Sequence, residues 1–136
     1  MPCPFFEPRR LVGNPRHPGA RLPLLDEYEG FCQAGAAPVP APETVRFEHC
    51  NRGYSRGCCD RFPAGETRSG LRYDIAERST TALLVLCIEE QDYTPLRWHS
   101  VRYFFEGERL EPEPPDGCER AQLLAFCRGY MRRSSV

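Results

Sequence analysis

Cysteine is the residue type that can do the most chemistry in this sequence, because eight cysteines occur among 136 residues. Their thiolates can bind soft metal ions or act as nucleophiles. Three lie in apolar segments of the second half, where burial alone accounts for them: Cys87, Cys118 and Cys127. The other five fall within the first 63 residues: Cys3, Cys32, Cys50, Cys58 and Cys59. This segregation indicates a site in the first half.

The first half also needs a source of order other than regular secondary structure. Ten of the fourteen prolines lie between Pro2 and Pro63, and the segment has little helical or strand periodicity. Such a segment cannot offset its loss of conformational entropy by burial alone. A metal held by four thiolates contributes on the order of 10 kcal/mol, which would be enough to order these loops.

The cysteine spacing bears on which metal is bound. Cys-x-x-Cys does not occur, whereas structural zinc sites usually contain two ligands only a few residues apart. Widely spaced cysteines can hold iron–sulfur clusters, and Cys3-Pro4 is similar to the Cys-Pro end of a bacterial ferredoxin motif. The spacing therefore favours a [4Fe–4S] cluster. Zinc, or no metal at all, stays open as an alternative.

Four motifs follow one another along the first half: Cys3-Pro4-Phe5-Phe6, Arg21-Leu22-Pro23-Leu24, Tyr28-x-Gly30-x-Cys32 and Cys50-Asn51-x-Gly53-Tyr54-x-Arg56-Gly57-x-Cys59-x-x-Phe62-Pro63. Together they resemble a small family of uncharacterised bacterial proteins. The resemblance covers about the first half of the chain and implies no activity. It implies that Cys58 is dispensable and that the metal ligands are Cys3, Cys32, Cys50 and Cys59.

The stretch from Gly53 to Gly57, between two of these ligands, can supply groups around a metal. Its glycines allow tight turns that aim amide N–H groups at sulfur, with Tyr54 between them. Arg56 can offset the negative charge of a thiolate-bound cluster. We therefore predict Tyr54, Arg56 and Gly57 as supporting residues, although an ordinary surface turn has the same composition.

Composition restricts the location and the class of function. No apolar run approaches the roughly 18 residues that span a bilayer, and the N-terminal residues do not have the pattern of a secretory signal. We therefore expect a cytoplasmic protein, where reducing conditions disfavour disulfides.

Catalysis has less support than metal binding, because His49 and Cys50 are adjacent and do not face one another on a helix. Phosphate-binding glycine motifs are absent from the sequence.

Nucleic-acid binding is the main alternative function. The 18 basic residues, all arginine, are offset by 19 acidic residues, so the excess positive charge typical of such proteins is missing. Arginines and aromatic residues nevertheless alternate in one stretch: Arg46, Arg52, Arg56, Arg61 and Arg68 with Phe47, Tyr54 and Phe62.

The leading hypothesis is a metal-binding protein with an electron-transfer or redox-sensing role and a redox partner protein. The alternative is a nucleic-acid-associated module with a structural zinc or cluster.

The second half has the clearer secondary-structure pattern. Alternating or continuous apolar residues predict strands over residues 71–78, 82–88 and 97–105, joined by short links that require an antiparallel meander. The strand at 82–88 is apolar throughout, as expected of a strand covered on both faces. Helices are predicted over 43–52, ending at Gly53, and over 117–133, where Asp116 and Glu119 have the spacing of a capping box. The apolar stripe of the last helix is Cys118, Ala121, Leu124, Cys127 and Met131.

These elements predict one domain of the α+β class over residues 1–136. Its first part (1–63) is expected to be irregular, rich in cysteine and proline, and organised by metal. Its second part (64–136) is expected to be a three-stranded antiparallel sheet backed by a C-terminal helix.

Overall fold

The computed structural model describes residues 1–53, 59–63, 70–92 and 94–134. The fold is α+β, with two antiparallel sheets and a C-terminal helix. No helix within the described residues has the length and apolar character needed to cross a membrane.

The first sheet lies where the sequence predicts irregular structure. It has three strands in the order β1 (Phe6–Leu11), β2 (Tyr28–Cys32) and β3 (Val39–Pro40), all antiparallel. A β-carbon added to Gly30 would stand 2.0 Å from the backbone oxygen of Glu7, so only glycine permits this approach of β2 to β1. The expectation of an irregular first half is therefore wrong for these strands, which are too short and too interrupted by proline to show periodicity.

The second sheet is the predicted meander with one more strand. Its order is β4 (Gly70–Arg78), β5 (Ala82–Gln91), β6 (Thr94–Phe104) and β7 (Arg109–Glu111), so the sheet has four strands where three were predicted. The fourth strand has only three residues, too few for a detectable pattern. On β5 one face is fully buried at Leu83, Val85 and Cys87 and the other is only half-buried. Full coverage of both faces was therefore a wrong expectation.

Residues 43–52 are helical as predicted, but mostly in the rare π form. One turn of α-helix, α1 (Glu43–Val45), continues into a π-helix over Arg46–Arg52. Gly53 ends it in an extended conformation, φ −142° and ψ 138°, so this glycine stops the helix without adopting the left-handed conformation. π-Helices are uncommon and are frequently found at functional sites.

The C-terminal helix, α2 (Gly117–Ser134), is confirmed in position. The predicted cap is present, since Asp116 Oδ1 accepts hydrogen bonds from the amides of Cys118 (2.7 Å) and Glu119 (3.3 Å). Burial extends beyond a single stripe: Gln122, Leu123, Ala125 and Phe126 are also buried. The helix packs on β1, and Phe126 meets Tyr73 of β4 with ring centroids 5.7 Å apart. Contact with both sheets explains this broad burial.

Candidate metal centre

The four cysteines implied as ligands line one apolar pocket, hereafter the cysteine pocket. Its walls include Phe5, Phe6, Val45, His49 and Phe62 together with Cys3, Cys32, Cys50 and Cys59. Each cysteine comes from a different segment: the N-terminal turn, the end of β2, the π-helix and the turn at residues 59–62. Cys50 is buried and the other three are half-buried. The tertiary structure thus brings together residues that are far apart in sequence.

Backbone pairing positions Cys3, Cys32 and Cys50. In the β1–β2 ladder Cys32 lies opposite Phe6, which begins β1 three residues after Cys3. The amide of Cys3 donates to the carbonyl oxygen of Cys50 at 3.1 Å, which joins the N-terminal turn to the π-helix. These contacts do not depend on any side chain, so three ligand positions are set by the fold of the backbone.

Two buried amide side chains hold the same segments. Gln122 of α2 is 2% exposed, and its Nε2 donates to the carbonyl oxygens of Cys3 and Phe6, both at 2.8 Å. Asn51 is 1% exposed; its Nδ2 donates to Tyr28 O (2.8 Å) and its Oδ1 accepts from Tyr28 N (2.8 Å). Removing either amide would withdraw hydrogen bonds from these backbone groups, at a cost of about 1–3 kcal/mol for each buried group left unpaired. The Cys3 carbonyl oxygen would still accept from the amide of Phe6 at 3.0 Å.

The fourth cysteine is carried by a short turn that rests on an aromatic pair. The amide of Phe62 donates to the carbonyl oxygen of Cys59 at 3.1 Å. The Phe62 ring packs edge-on against Phe5, with centroids 5.2 Å apart and an interplanar angle of 77°. Since Phe5 lies two residues after Cys3, this contact sets the turn of Cys59 beside the turn of Cys3.

The cysteine pocket places several thiols in mutual electrostatic range. The pKa of Cys3 is raised to about 12, mainly by burial, with smaller contributions from Cys50, Cys32 and Cys59 and an opposing backbone hydrogen bond at Phe5 that lowers it. Burial, followed by Cys32 and Cys59, likewise raises the pKa of Cys50 to about 12. Four thiolates would repel one another here. A bound metal cation would offset this repulsion and lower the pKa of the thiols, because metal ligands are deprotonated thiolates.

Among the residues that the structure describes, Arg61 is the arginine that lines the cysteine pocket. Its Nε donates to the sulfur of Cys32 at 3.5 Å, and this hydrogen bond is the main cause of the raised pKa of Arg61. Arg61 lines the cysteine pocket from the exposed side of the turn that carries Cys59. The sequence predicts a cation near these thiols at Arg56, which lies outside the described residues.

The space enclosed by the cysteine pocket is about 20 Å³, which is roughly the room needed by one water molecule. Four thiolates on one zinc ion lie about 3.8 Å apart, given Zn–S bonds of about 2.3 Å. Among the described residues, no group of three or more His, Cys, Asp or Glu side chains has an arrangement that could hold a metal ion. The four cysteines therefore share a pocket without forming a closed ligand shell.

The other predicted residues divide into two groups. Tyr54, Arg56, Gly57 and Cys58 lie outside the described residues, and so do Arg68 and its neighbours. The three cysteines assigned to packing are buried, with exposures of 0% for Cys87, 6% for Cys118 and 0% for Cys127. Packing is confirmed for these three.

Several described members of the predicted arginine–aromatic stretch have partners within the fold. Arg46 is 15% exposed and pairs with Glu27, whose carboxylate lies 3.3 Å away. Arg52 pairs with Glu48 at 3.1 Å. The Phe47 ring lies 4.4 Å from that of His17, and Phe62 is buried. Of these described side chains, Arg46 and Phe62 are turned into the fold, whereas the Arg52–Glu48 pair is exposed.

A second cleft, of about 280 Å³, lies between the start of α2 and the second sheet. Its polar groups are already partnered: Arg97 Nη2 donates to Glu89 at 3.0 Å, His99 lies 3.6 Å from Glu119, and Asp116 caps α2. Burial raises the pKa of Glu119, while His99 lowers it. These polar side chains of the cleft therefore make contacts within the fold.

Sequence reasoning missed Arg61, Gln122 and Asn51 as residues of the site. Asn51 follows Cys50 directly and Arg61 lies two residues after Cys59. A polar side chain this close to a predicted ligand was the available signal. Gln122 interrupts the apolar residues of α2, where a buried amide indicates a specific hydrogen-bond partner.

No protein-family model, curated protein or solved structure matches this chain.

Proposed function

We propose that this chain is a metal-binding protein whose ligands are Cys3, Cys32, Cys50 and Cys59. The observation that carries the proposal is the convergence of four cysteines, from four separate segments, on one apolar pocket. Soft thiolate ligands select zinc, copper(I) and iron–sulfur clusters over hard cations. Two buried amides and a backbone hydrogen bond brace the ligand segments, as the surroundings of a metal site commonly do.

A [4Fe–4S] cluster is the group we favour. A cluster binds each thiolate to a different iron atom, so its ligands stand farther apart than those of a single ion. Four cysteines from separate segments around one pocket offer one thiol to each of those iron atoms. When bound, the cluster would supply one-electron transfer. The chain's own part would be to bind it by four thiols, exclude water with Phe5, Phe6 and Phe62, and provide the positive charge of Arg61.

Zinc is a second candidate because the enclosed volume is only about 20 Å³. That space suits a single ion better than a cluster. A cluster would require the pocket to widen at its half-buried cysteines, Cys3, Cys32 and Cys59.

The metal content of protein purified without oxygen tests the proposal. We expect iron and acid-labile sulfide in near-equal amounts, with broad visible absorption, because four thiolates are available to one cluster. Colourless protein with stoichiometric zinc would select the second candidate. Protein without bound metal, even after anaerobic incubation with ferrous iron and sulfide or with zinc, would contradict both.

A further inference from the structure

Arg61 is set apart from the other arginines around the site by its partner. Arg46 and Arg52 pair with the carboxylates of Glu27 and Glu48. Arg61 instead donates from Nε to the sulfur of Cys32 at 3.5 Å. This hydrogen bond and the position of Arg61 in the pocket lining direct its guanidinium at the cysteine pocket.

The local turn explains how Arg61 is held there. Cys59 and Phe62 are joined by a backbone hydrogen bond of 3.1 Å, and Phe62 is 9% exposed against Phe5. Arg61 lies between them and projects from the exposed side of that turn. One turn thus supplies a ligand, an aromatic wall and a cation.

The charge of a filled site gives this cation a function. Four thiolates outweigh the two positive charges of a zinc ion or of an oxidised [4Fe–4S] core, so the filled site is negative. Adding one electron makes a cluster more negative still. Charge and hydrogen bonds at the ligand sulfurs are among the main determinants of cluster potentials.

We propose that Arg61 is a positioning residue that stabilises the negative charge of the filled cysteine pocket through Cys32, and thereby raises the reduction potential of a bound cluster. This inference rests on the proposed function. In the redox equilibrium concerned, dithionite supplies one electron to the oxidised cluster, and no bond to a cysteine is formed or broken.

The test compares Arg61→Gln, Arg61→Lys and the control Arg102→Gln after anaerobic reconstitution with ferrous iron and sulfide. Arg102 is an exposed residue of β6, so its loss changes net charge equally but away from the pocket. Iron and sulfide content measures loading, and a mediated dithionite titration measures the potential. We expect Arg61→Gln to lower the ratio of reduced to oxidised protein about tenfold at fixed potential, about 59 mV for one electron. Arg61→Lys should recover part of this shift, and Arg102→Gln should match the parent.

The outcomes separate the two proposals. A loaded parent whose potential is the same in Arg61→Gln overturns the role of Arg61 and leaves the function standing. If the parent binds only zinc, the same role predicts about tenfold weaker zinc binding by Arg61→Gln in chelator competition, and equal affinities overturn it. If neither zinc nor iron binds, both proposals fall.

Discussion

At the scale of single residues, the question is which of two adjacent cysteines, Cys58 or Cys59, is the fourth metal ligand. Consecutive side chains point in different directions, so both cannot ordinarily reach one pocket. Cys59 lines the cysteine pocket, whereas Cys58 lies outside the described residues. We predict that Cys59→Ser loses most bound metal, while Cys58→Ser retains the parent's content. Metal analysis of the two purified variants measures this, and equal losses would defeat the assignment.

At the scale of elements, the first sheet depends on the close approach at Gly30. Because an added β-carbon would collide with the oxygen of Glu7 at 2.0 Å, Gly30→Ala must displace β1 from β2. We expect a loss of about 3 kcal/mol or more of unfolding free energy, as for other overpacked sites, and lower metal content because Cys32 ends β2. Urea unfolding measures the first effect.

Gly13 provides the matched control, since an added β-carbon there meets no atom within 4 Å. Gly13→Ala should change the unfolding free energy by about 0.5 kcal/mol or less. Comparable losses in both glycine variants would mean that the strand approach is not the cause.

The ion pair between Glu108, in the turn that follows β6, and Arg128 of α2 makes stability depend on pH. Arg128 donates to Glu108 from Nε (2.6 Å) and Nη2 (3.0 Å), and this hydrogen bonding lowers the pKa of Glu108 below its ordinary value of 4.5. A carboxylate with a lowered pKa stabilises the fold above its ordinary pKa and loses that contribution as pH falls through the folded value. We predict that Glu108→Gln costs about 0.5 kcal/mol at pH 7, because the pair is half-exposed.

Urea unfolding of both proteins from pH 7 down to pH 3 measures this effect. The difference between Glu108→Gln and the parent should shrink below pH 4.5, the ordinary carboxyl value. A difference that stays constant or grows toward acid would contradict the prediction. Glu106→Gln removes a carboxylate from the same turn and should cost less at pH 7.

At the scale of the whole molecule, one hydrophobic core joins the two halves of the chain. It includes Phe6, Leu24 and Tyr28 from the first half together with Leu83 and Leu123 from the second. The Tyr28 hydroxyl also donates to the carbonyl oxygen of Ala125 at 3.1 Å. Separate unfolding of the first 63 residues would therefore expose the core that packs α2.

We accordingly predict that metal-free protein unfolds in a single transition. Cys50 and Cys127 are buried in the first half and in α2, so both serve as reporters of this transition. Pulsed thiol labelling along a urea series, read by mass spectrometry, should show the same midpoint at both. Earlier labelling of Cys50, with Cys127 still protected, would show instead that the first half unfolds separately when metal is absent.

What the sequence by itself determined is the local structure whose cause is local. The alternating and apolar runs predict β4, β5 and β6, and Asp116 predicts the start of α2, because periodicity and capping act within a few residues. The segregation of cysteines and the motifs that contain them also picked out the four cysteines that line the pocket.

Only the tertiary structure decided the contacts between distant segments. β1 and β2 are stabilised by pairing with each other, so short strands interrupted by proline form without a periodic pattern. Gln122 reaches Cys3 across 119 residues. Arg61 takes the position beside Cys32 because Phe62 packs on Phe5. Such contacts depend on how the chain packs in three dimensions, which spacing along a single sequence does not specify.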